Sequence, residues 1–133
     1  MEAAKKVMIV EDDPLLSIVE EKMVEKLGYI VVGKAKSGEE TLAKIKDLQP
    51  EILVLDMQLA GNLNGIQTVE LLESKNVKIP VIFLSGDNSS SVLKNAENVD
   101  YIDFLVKPVS SEILSESLEK ASKYGSPLAQ NAA

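Results

Sequence analysis

The sequence has no cysteine, no histidine and no tryptophan, and aromatic residues make up only 4% of its 133 residues. Without cysteine, disulfides, thiolate metal sites and cysteine nucleophiles are excluded. Without histidine, the usual zinc sites, serine–histidine triads and a phosphohistidine within this chain are excluded as well. An acid, base or nucleophile must therefore be Asp, Glu, Lys, Ser, Thr or Tyr, and the core must be mostly aliphatic.

The charge balance is acidic, with a formal net charge of −7. This sign disfavours nonspecific binding to nucleic acid or to an anionic membrane, and it favours cations, basic surfaces and other proteins as partners. Long apolar runs are also missing: the first run, at Val7–Val10, is too short for the core of a signal peptide, and none approaches the length of a membrane span. The sequence therefore predicts a soluble, cytoplasmic protein.

What the chain does contain is a regular alternation of apolar runs and helical patterns. Its length and its 45% of apolar residues suit one globular domain, predicted over residues 5–123, with a flexible tail or linker stub at 124–133. Strands are predicted at Val7–Val10, Tyr29–Val32 with an extension to Ala35, Ile52–Leu55, Ile79–Leu84 and Tyr101–Val106. Because a helical segment follows each strand, the pattern predicts an α/β domain whose parallel sheet has helices on both faces.

Local signals mark the start of two helices. Asp13, just before Pro14, is predicted to cap the first helix. Ser37 and Glu40 have the spacing of a capping box, in which each side chain satisfies a free backbone donor of the other residue. Apolar residues recur at helical spacing along the first helix: Leu15, Val19, Met23 and Leu27.

The sequence signals for two later helices are weaker or ambiguous. The segment from Asn88 to Asn98 is polar with weak periodicity, and it predicts only a short helix. In the last helix, either Ile113 or Leu114 is predicted to point inward together with Leu118 and Ala121.

Polar residues stand at the ends of four of the predicted strands. Strand one ends in Glu11-Asp12-Asp13, strand three in Asp56, strand four in Ser85 and strand five in Lys107. In a parallel sheet these ends meet at one edge, where open α/β sheets bind their ligands. Clustered carboxylates repel one another unless they share a cation, and an oxygen-only site suits Mg²⁺. An aspartate there can act as a nucleophile toward phosphorus, with the cation, the lysine and the hydroxyl stabilising the phosphoryl oxygens.

These residues resemble the receiver domain of two-component response regulators. The resemblance covers about residues 5–123 and rests on four segments in order: Val7–Leu16, Ile52–Leu59, Val81–Gly86 and Phe104–Pro108. It implies a (βα)5 doubly wound, flavodoxin-like sheet in the order 2-1-3-4-5. The strand order comes from this resemblance and not from the periodicity.

The resemblance also implies roles for individual residues. Asp56 would be the phosphoacceptor. Lys107 would pair with the phosphoryl group or with Asp56, and Ser85 would contact a phosphoryl oxygen. The metal, Mg²⁺ with Mn²⁺ as an alternative, would be held by Asp12, by Asp56, by the backbone carbonyl of Gln58 and, through water, by Glu11, whereas Asp13 would be a cap and not a ligand.

Roles in switching and in phosphoryl-group lifetime follow from the same resemblance. Ser85 and Phe104 would form the switch, and the bond before Pro108 would be a cis peptide. The side chains of Gln58 and Asp87 would influence how long the phosphoryl group survives.

The function implied is a signalling switch and not an enzyme. A histidine kinase or histidine phosphotransfer protein would phosphorylate Asp56, and an output domain or target would read the fourth helix, fifth strand and fifth helix, with a phosphorylation-dependent dimer as one form of output. These residues include no nucleic-acid-binding segment. Two alternatives remain: a magnesium-dependent phosphatase with an aspartyl nucleophile, and a degenerate receiver that only binds partners. Gln58 disfavours the phosphatase, because such enzymes commonly carry a second aspartate at that position.

Overall fold

The computed structural model describes residues 4–86 and 90–124, with only the backbone at 90 and 91. The strands are β1 (Lys6–Val10), β2 (Ile30–Ala35), β3 (Ile52–Asp56), β4 (Val81–Ser85) and β5 (Asp103–Val106). The helices that follow them are α1 (Pro14–Lys26), α2 (Gly38–Leu48), α3 (Gly65–Ser74), α4 (Ser90–Ala96) and α5 (Ser111–Tyr124). The predicted alternation of strands and helices is confirmed.

The five strands form one parallel sheet in the order β2-β1-β3-β4-β5. Successive residues of a strand point to opposite faces, and here both faces are covered. In β3, Leu53 and Leu55 belong to one hydrophobic cluster, whereas Ile52 and Val54 belong to the other. The continuous apolar run before Asp56 is thus explained by burial on two sides, and the doubly wound fold and its strand order are confirmed.

The ends of several strands differ from their predicted positions. Strand β4 begins at Val81 and not at Ile79, and Pro80 has no N–H to donate to a ladder. Strand β5 begins at Asp103 and not at Tyr101. Tyr101 packs against the core instead, with its ring tilted against that of Phe83 at a centroid distance of 5.7 Å.

Helix α1 forms where it was predicted, but only the second half of its apolar stripe, Met23 and Leu27, packs against the core. Leu15 is 70% exposed and Val19 is 45% exposed. The buried residues of α1 are instead Ser17, Glu20 and Val24. Periodicity identifies a helix but does not say which of its faces the sheet covers, so the inner face of α1 was not predictable from this stripe.

The helix caps agree with the sequence in part. The Asp13 carboxylate accepts hydrogen bonds from the backbone N–H groups of Leu15 (2.9 Å) and Leu16 (3.1 Å). Ser37 Oγ accepts from the Glu40 N–H at 3.0 Å, but the Glu40 carboxylate accepts from the N–H of Lys36, at 2.6 Å, and not from that of Ser37. The capping-box prediction is therefore wrong in its second half.

Two other helix starts refine the sequence reading. The complete capping box is at the start of α3, between Asn64 and Gln67. In α5 the inward residue is Leu114, which is 1% exposed, whereas Ile113 is 50% exposed. Helix α4 is short, as its weak pattern predicted, although residues 88 and 89 of the predicted segment lie outside the described residues. None of the helices described is both long and apolar enough to cross a bilayer.

Candidate functional site

Asp56 is the last residue of β3, a central strand, and it is 3% exposed. Its two carboxylate oxygens have different partners. Oδ1 accepts a hydrogen bond from the backbone N–H of Gln58 at 3.2 Å, and Oδ2 accepts from Nζ of Lys107 at 2.9 Å. A buried carboxylate is therefore fixed at the carboxyl edge of the sheet, next to an exposed residue, Gln58, that follows it in the loop.

Lys107 directly follows β5 and joins two carboxylates. Its ammonium group also lies 3.4 Å from Oε1 of Glu11, which is 1% exposed at the end of β1. The backbone holds Lys107 in place, because its N–H donates to the carbonyl of Ser85 at 2.7 Å. The peptide bond from Lys107 to Pro108 is cis.

Carboxylate oxygens of Glu11, Asp12 and Asp56 lie within 4.8 Å of one another. Glu11 and Asp56 are buried, whereas Asp12 is exposed at the mouth of the site. Oxygen-only donors at this spacing suit a hard divalent cation such as Mg²⁺, which takes one or two carboxylates and keeps several waters. The residues present therefore fit the metal that the sequence predicted.

The charges of this cluster shift the pKa values of its members. Burial, together with contact with Glu11, raises the pKa of Asp56 to about 6, although Lys107 opposes the shift. Burial lowers the pKa of Lys107, but the hydrogen bond and the charge of Asp56 and the charge of Glu11 outweigh burial and leave that pKa above its ordinary value. The ammonium group is thus held in its charged form beside Asp56.

Ser85 and Phe104 occupy neighbouring strands of the sheet. Ser85 ends β4, is 1% exposed, and is next in the chain to Leu84, the residue paired with Asp56 in the ladder. Phe104 lies within β5, opposite Phe83 of β4, and is partly buried against the hydrophobic core. Asp87 lies outside the described residues.

A fourth carboxyl group at the site was missed by the sequence reasoning. Glu20 of α1 is 8% exposed, and its carboxyl group makes hydrogen-bonding contact with Glu11. Burial and this contact raise the pKa of Glu20 to about 9. A single glutamate in a helix is usually on the surface, so only its i, i+3 and i+7 spacing with Ser17 and Val24 hinted at a shared face.

Glu39, a second residue that the sequence reasoning missed, holds the loop after Asp56 by a hydrogen bond. The Glu39 carboxylate accepts a hydrogen bond from the N–H of Asn62 at 3.0 Å, and this bond lowers its pKa. Gly61, with φ of 89°, brings its backbone against the same carboxylate, where a Cβ atom would meet Oε1 at 2.8 Å. The start of α2 therefore holds the loop that carries Gln58.

Both the sequence and the fold match known proteins. Residues 7–119 match the family model described as the response regulator receiver domain. The chain belongs to this family of receiver domains. As a receiver domain it has a regulatory role in two-component signalling.

Two curated relatives differ in the share of their length that this domain covers. The receiver domain is 38% identical to the positive alginate biosynthesis regulatory protein of Pseudomonas aeruginosa, over 88% of this chain and 47% of that protein. It is 29% identical to the chemotaxis protein CheY of Thermotoga maritima, over 90% of this chain and 98% of that protein. The chain thus spans about half the length of several curated relatives and nearly all of another.

A solved structure agrees with the fold. The signal receiver domain of a modulated diguanylate cyclase from Desulfovibrio desulfuricans G20 superposes with a TM-score of 0.84 and is 32% identical, covering 92% of this chain and 96% of that chain. The family and the fold predicted from the sequence are therefore confirmed.

Proposed function

We propose that Asp56 accepts a phosphoryl group from a phosphohistidine on a histidine kinase or a histidine phosphotransfer protein. The observation that carries this proposal is the buried Asp56 carboxylate, held 2.9 Å from Lys107 within the acidic cluster. An Asp56 oxygen forms the new bond to phosphorus, the N–P bond of the donor breaks, and the imidazole nitrogen keeps the electron pair. Because such donors are phosphorylated from ATP, the reaction belongs in the cytoplasm.

The metal in this proposal is Mg²⁺, with Mn²⁺ as an alternative. Asp12, Asp56 and the backbone carbonyl of Gln58 would hold it directly, and Glu11 would hold it through water. When bound, the ion neutralises charge on the phosphoryl oxygens during transfer. The 4.8 Å spacing of the three carboxylates supports this assignment.

Residues of the chain itself would neutralise or hydrogen-bond the phosphoryl oxygens that the metal ion does not contact. Lys107 is close enough to follow the phosphoryl group as it bonds to Asp56, since its Nζ already lies against Oδ2. Ser85, buried at the end of the adjacent strand, would donate its hydroxyl to a phosphoryl oxygen. The side chains of Gln58 and Asp87 would tune how long the acyl phosphate survives.

The output we propose is a shift between two conformations read on α4, β5 and α5. Ser85 would move toward the phosphoryl group and Phe104 would follow it. Each of the three elements exposes at least one large apolar side chain, including Leu93 (39%), Val106 (43%) and Ile113 (50%). An apolar surface of this kind suits an output domain, a target protein or a second receiver domain, whose binding would then depend on phosphorylation.

This function is regulatory and not enzymatic, although Asp56 takes part in its own phosphorylation and dephosphorylation. A phosphatase with an aspartyl nucleophile needs a general acid near the leaving group. The residue two positions after Asp56 is Gln58, whose side-chain amide does not act as a general acid, and this residue therefore favours the switch.

The test is mass spectrometry of the intact protein after incubation with Mg²⁺ and acetyl phosphate. We expect one added phosphoryl group on the wild type and none on Asp56→Asn. Absence of an adduct with acetyl phosphate and with a phosphorylated histidine donor would favour the degenerate receiver that only binds partners. Continuous hydrolysis of unrelated phosphate esters would favour the phosphatase.

A further inference from the structure

The inner face of α1 carries a carboxyl group where an apolar side chain would ordinarily stabilise the fold. Glu20 is 8% exposed, whereas Leu15, Ile18 and Val19 of the same helix are 45% exposed or more. Burying a carboxyl group costs free energy unless it is hydrogen-bonded or paired with charge. Violations of ordinary patterning of this kind concentrate at functional sites.

Glu20 is oriented toward the acidic cluster. Its carboxyl group contacts Glu11 and lies within the electrostatic influence of Lys107 and Asp56. Yet its Oε1 atom is buried and accepts no hydrogen bond from any residue in the described part of the chain. A buried oxygen without a donor requires an explanation, and a hydrated cation beside Glu11 supplies donors at that place.

The chemistry of Mg²⁺ makes this match specific. The ion keeps several waters when it binds to proteins, and each polarised water needs an acceptor for its hydrogens. Residues behind the direct ligands orient such sites and influence their affinity. Glu11 already has Lys107 at 3.4 Å and the N–H of Asp13 at 3.3 Å, so it does not have its full capacity left for such waters.

We propose that Glu20 is a positioning residue of the metal site, whose buried Oε1 accepts hydrogen bonds from the hydration shell of the divalent cation beside Glu11. This inference rests on the proposed function, because it takes the metal site as given. It adds a fourth carboxyl group, supplied by α1, to the three that lie at the strand ends.

The experiment is calorimetric titration of the unphosphorylated protein with Mg²⁺, supported by the shift in melting temperature that Mg²⁺ causes. Glu20→Met removes the acceptor oxygens, and we expect the affinity of this variant for Mg²⁺ to fall by about tenfold. Glu20→Gln keeps an acceptor oxygen and should lie between Glu20→Met and the wild type. If Glu20→Met does not fold, which its melting curve in chelator would reveal, Glu20→Gln alone carries the test.

The matched control is Glu21→Gln on the same helix. It is the same substitution one position along the helix, but Glu21 pairs at the surface with Lys34, at 2.9 Å. Because surface charges are screened, its affinity for Mg²⁺ should stay within about twofold of the wild type.

Other results would separate the two proposals. If Asp12→Asn loses Mg²⁺ binding while both Glu20 variants bind as tightly as the wild type or more tightly, the role of Glu20 is overturned and the metal site stands. If the wild type itself binds no Mg²⁺, the metal site fails and the role of Glu20 fails with it. Equal losses in the Glu20 and Glu21 variants would show a general charge effect and would also overturn the inference.

Discussion

Nζ of Lys107 lies 2.9 Å from Oδ2 of Asp56, a contact between residues 51 positions apart in the chain. Asp56 is almost fully buried and Lys107 is mostly so. The lysine reaches Asp56 from the far side of β4, because β5 is the edge strand and Lys107 directly follows it. The contact therefore couples the proposed phosphorylation site to the edge of the sheet that carries the proposed output surface.

Replacement of this lysine should destabilise the metal-free protein. In Lys107→Met, Asp56 and Glu11 lose a shared cation, and we expect the free energy of unfolding at pH 8 to fall by about 1–3 kcal/mol. The loss should shrink at pH 5, where Asp56, with a pKa of about 6, is largely protonated. Urea unfolding in chelator measures both values. Lys120→Met, which removes an exposed pair with Asp103 at 3.3 Å, is the control and should cost less than about 1 kcal/mol. Equal losses in the two variants would contradict this reading.

The stability of the metal-free protein should decrease as the pH rises. The pKa values of Asp56 (about 6) and Glu20 (about 9) lie above their ordinary values of 3.8 and 4.5, mainly through burial. Between the ordinary and the raised pKa, the native state holds more protons than the unfolded state, so the free energy of unfolding falls with increasing pH. Urea unfolding in chelator from pH 5 to pH 9 tests the sign.

Two variants separate the contributions of Asp56 and Glu20 to this pH dependence. Asp56→Asn should flatten the curve mainly below about pH 6, and Glu20→Gln should flatten it up to about pH 9, following the two raised pKa values. A wild-type protein that grows more stable with pH over this range would show that both carboxyl groups are ionised in the fold.

Magnesium should stabilise the protein through Asp12. Binding to the native state alone raises stability by mass action, so the melting temperature should rise with millimolar Mg²⁺. Asp12→Asn should lose most of that rise because it removes an exposed carboxylate of the cluster. Asp13→Asn is the matched control: it removes the same charge one position along, and asparagine still caps α1. If both variants respond to Mg²⁺ as the wild type does, the ion is bound elsewhere or not at all.

The sequence predicted much of this site because its parts lie at strand ends, where apolar runs stop on polar residues. Asp56 and Lys107 needed only the parallel sheet to bring them together. The order of the strands could not be predicted from the strand ends. It followed from the family resemblance, since periodicity says nothing about which strands are neighbours. Glu20 and Glu39 were missed because each interacts across the tertiary structure, one with β1 and the other with the loop after β3. Neither contact leaves a local pattern in the sequence.

Gly65 should be sensitive to the addition of one methyl group. A Cβ atom there would lie 2.6 Å from the backbone oxygen of Asp56 and 3.0 Å from Cα of Met57. Backbone atoms cannot move aside easily, so Gly65→Ala should cost about 1–3 kcal/mol and should slow phosphorylation of Asp56. Gly86→Ala is the control, because a Cβ atom at Gly86 has no neighbour within 4 Å among the residues described. Urea unfolding and the rate of adduct formation measure the two effects, and equal tolerance at both positions would contradict the tight approach of α3 to the site.

The last prediction concerns the output surface, which phosphorylation should change at a distance from Asp56. Val106 directly precedes Lys107, so we expect a lysine that follows the phosphoryl group to displace the end of β5 and the helices beside it. Methyl NMR spectra recorded with Mg²⁺, before and after addition of beryllofluoride as a phosphoryl analogue, should show shifts at Leu93, Val106 and Ile113. Ile30 is the internal control, because it is as exposed as Ile113, at 49% against 50%, but lies on β2 at the opposite edge of the sheet. Asp56→Asn should abolish all the shifts. Changes at Ile30 as large as those at Ile113 would indicate a general effect of the ligand, and unchanged methyl groups at all three positions would mean that the signal leaves the domain by another surface.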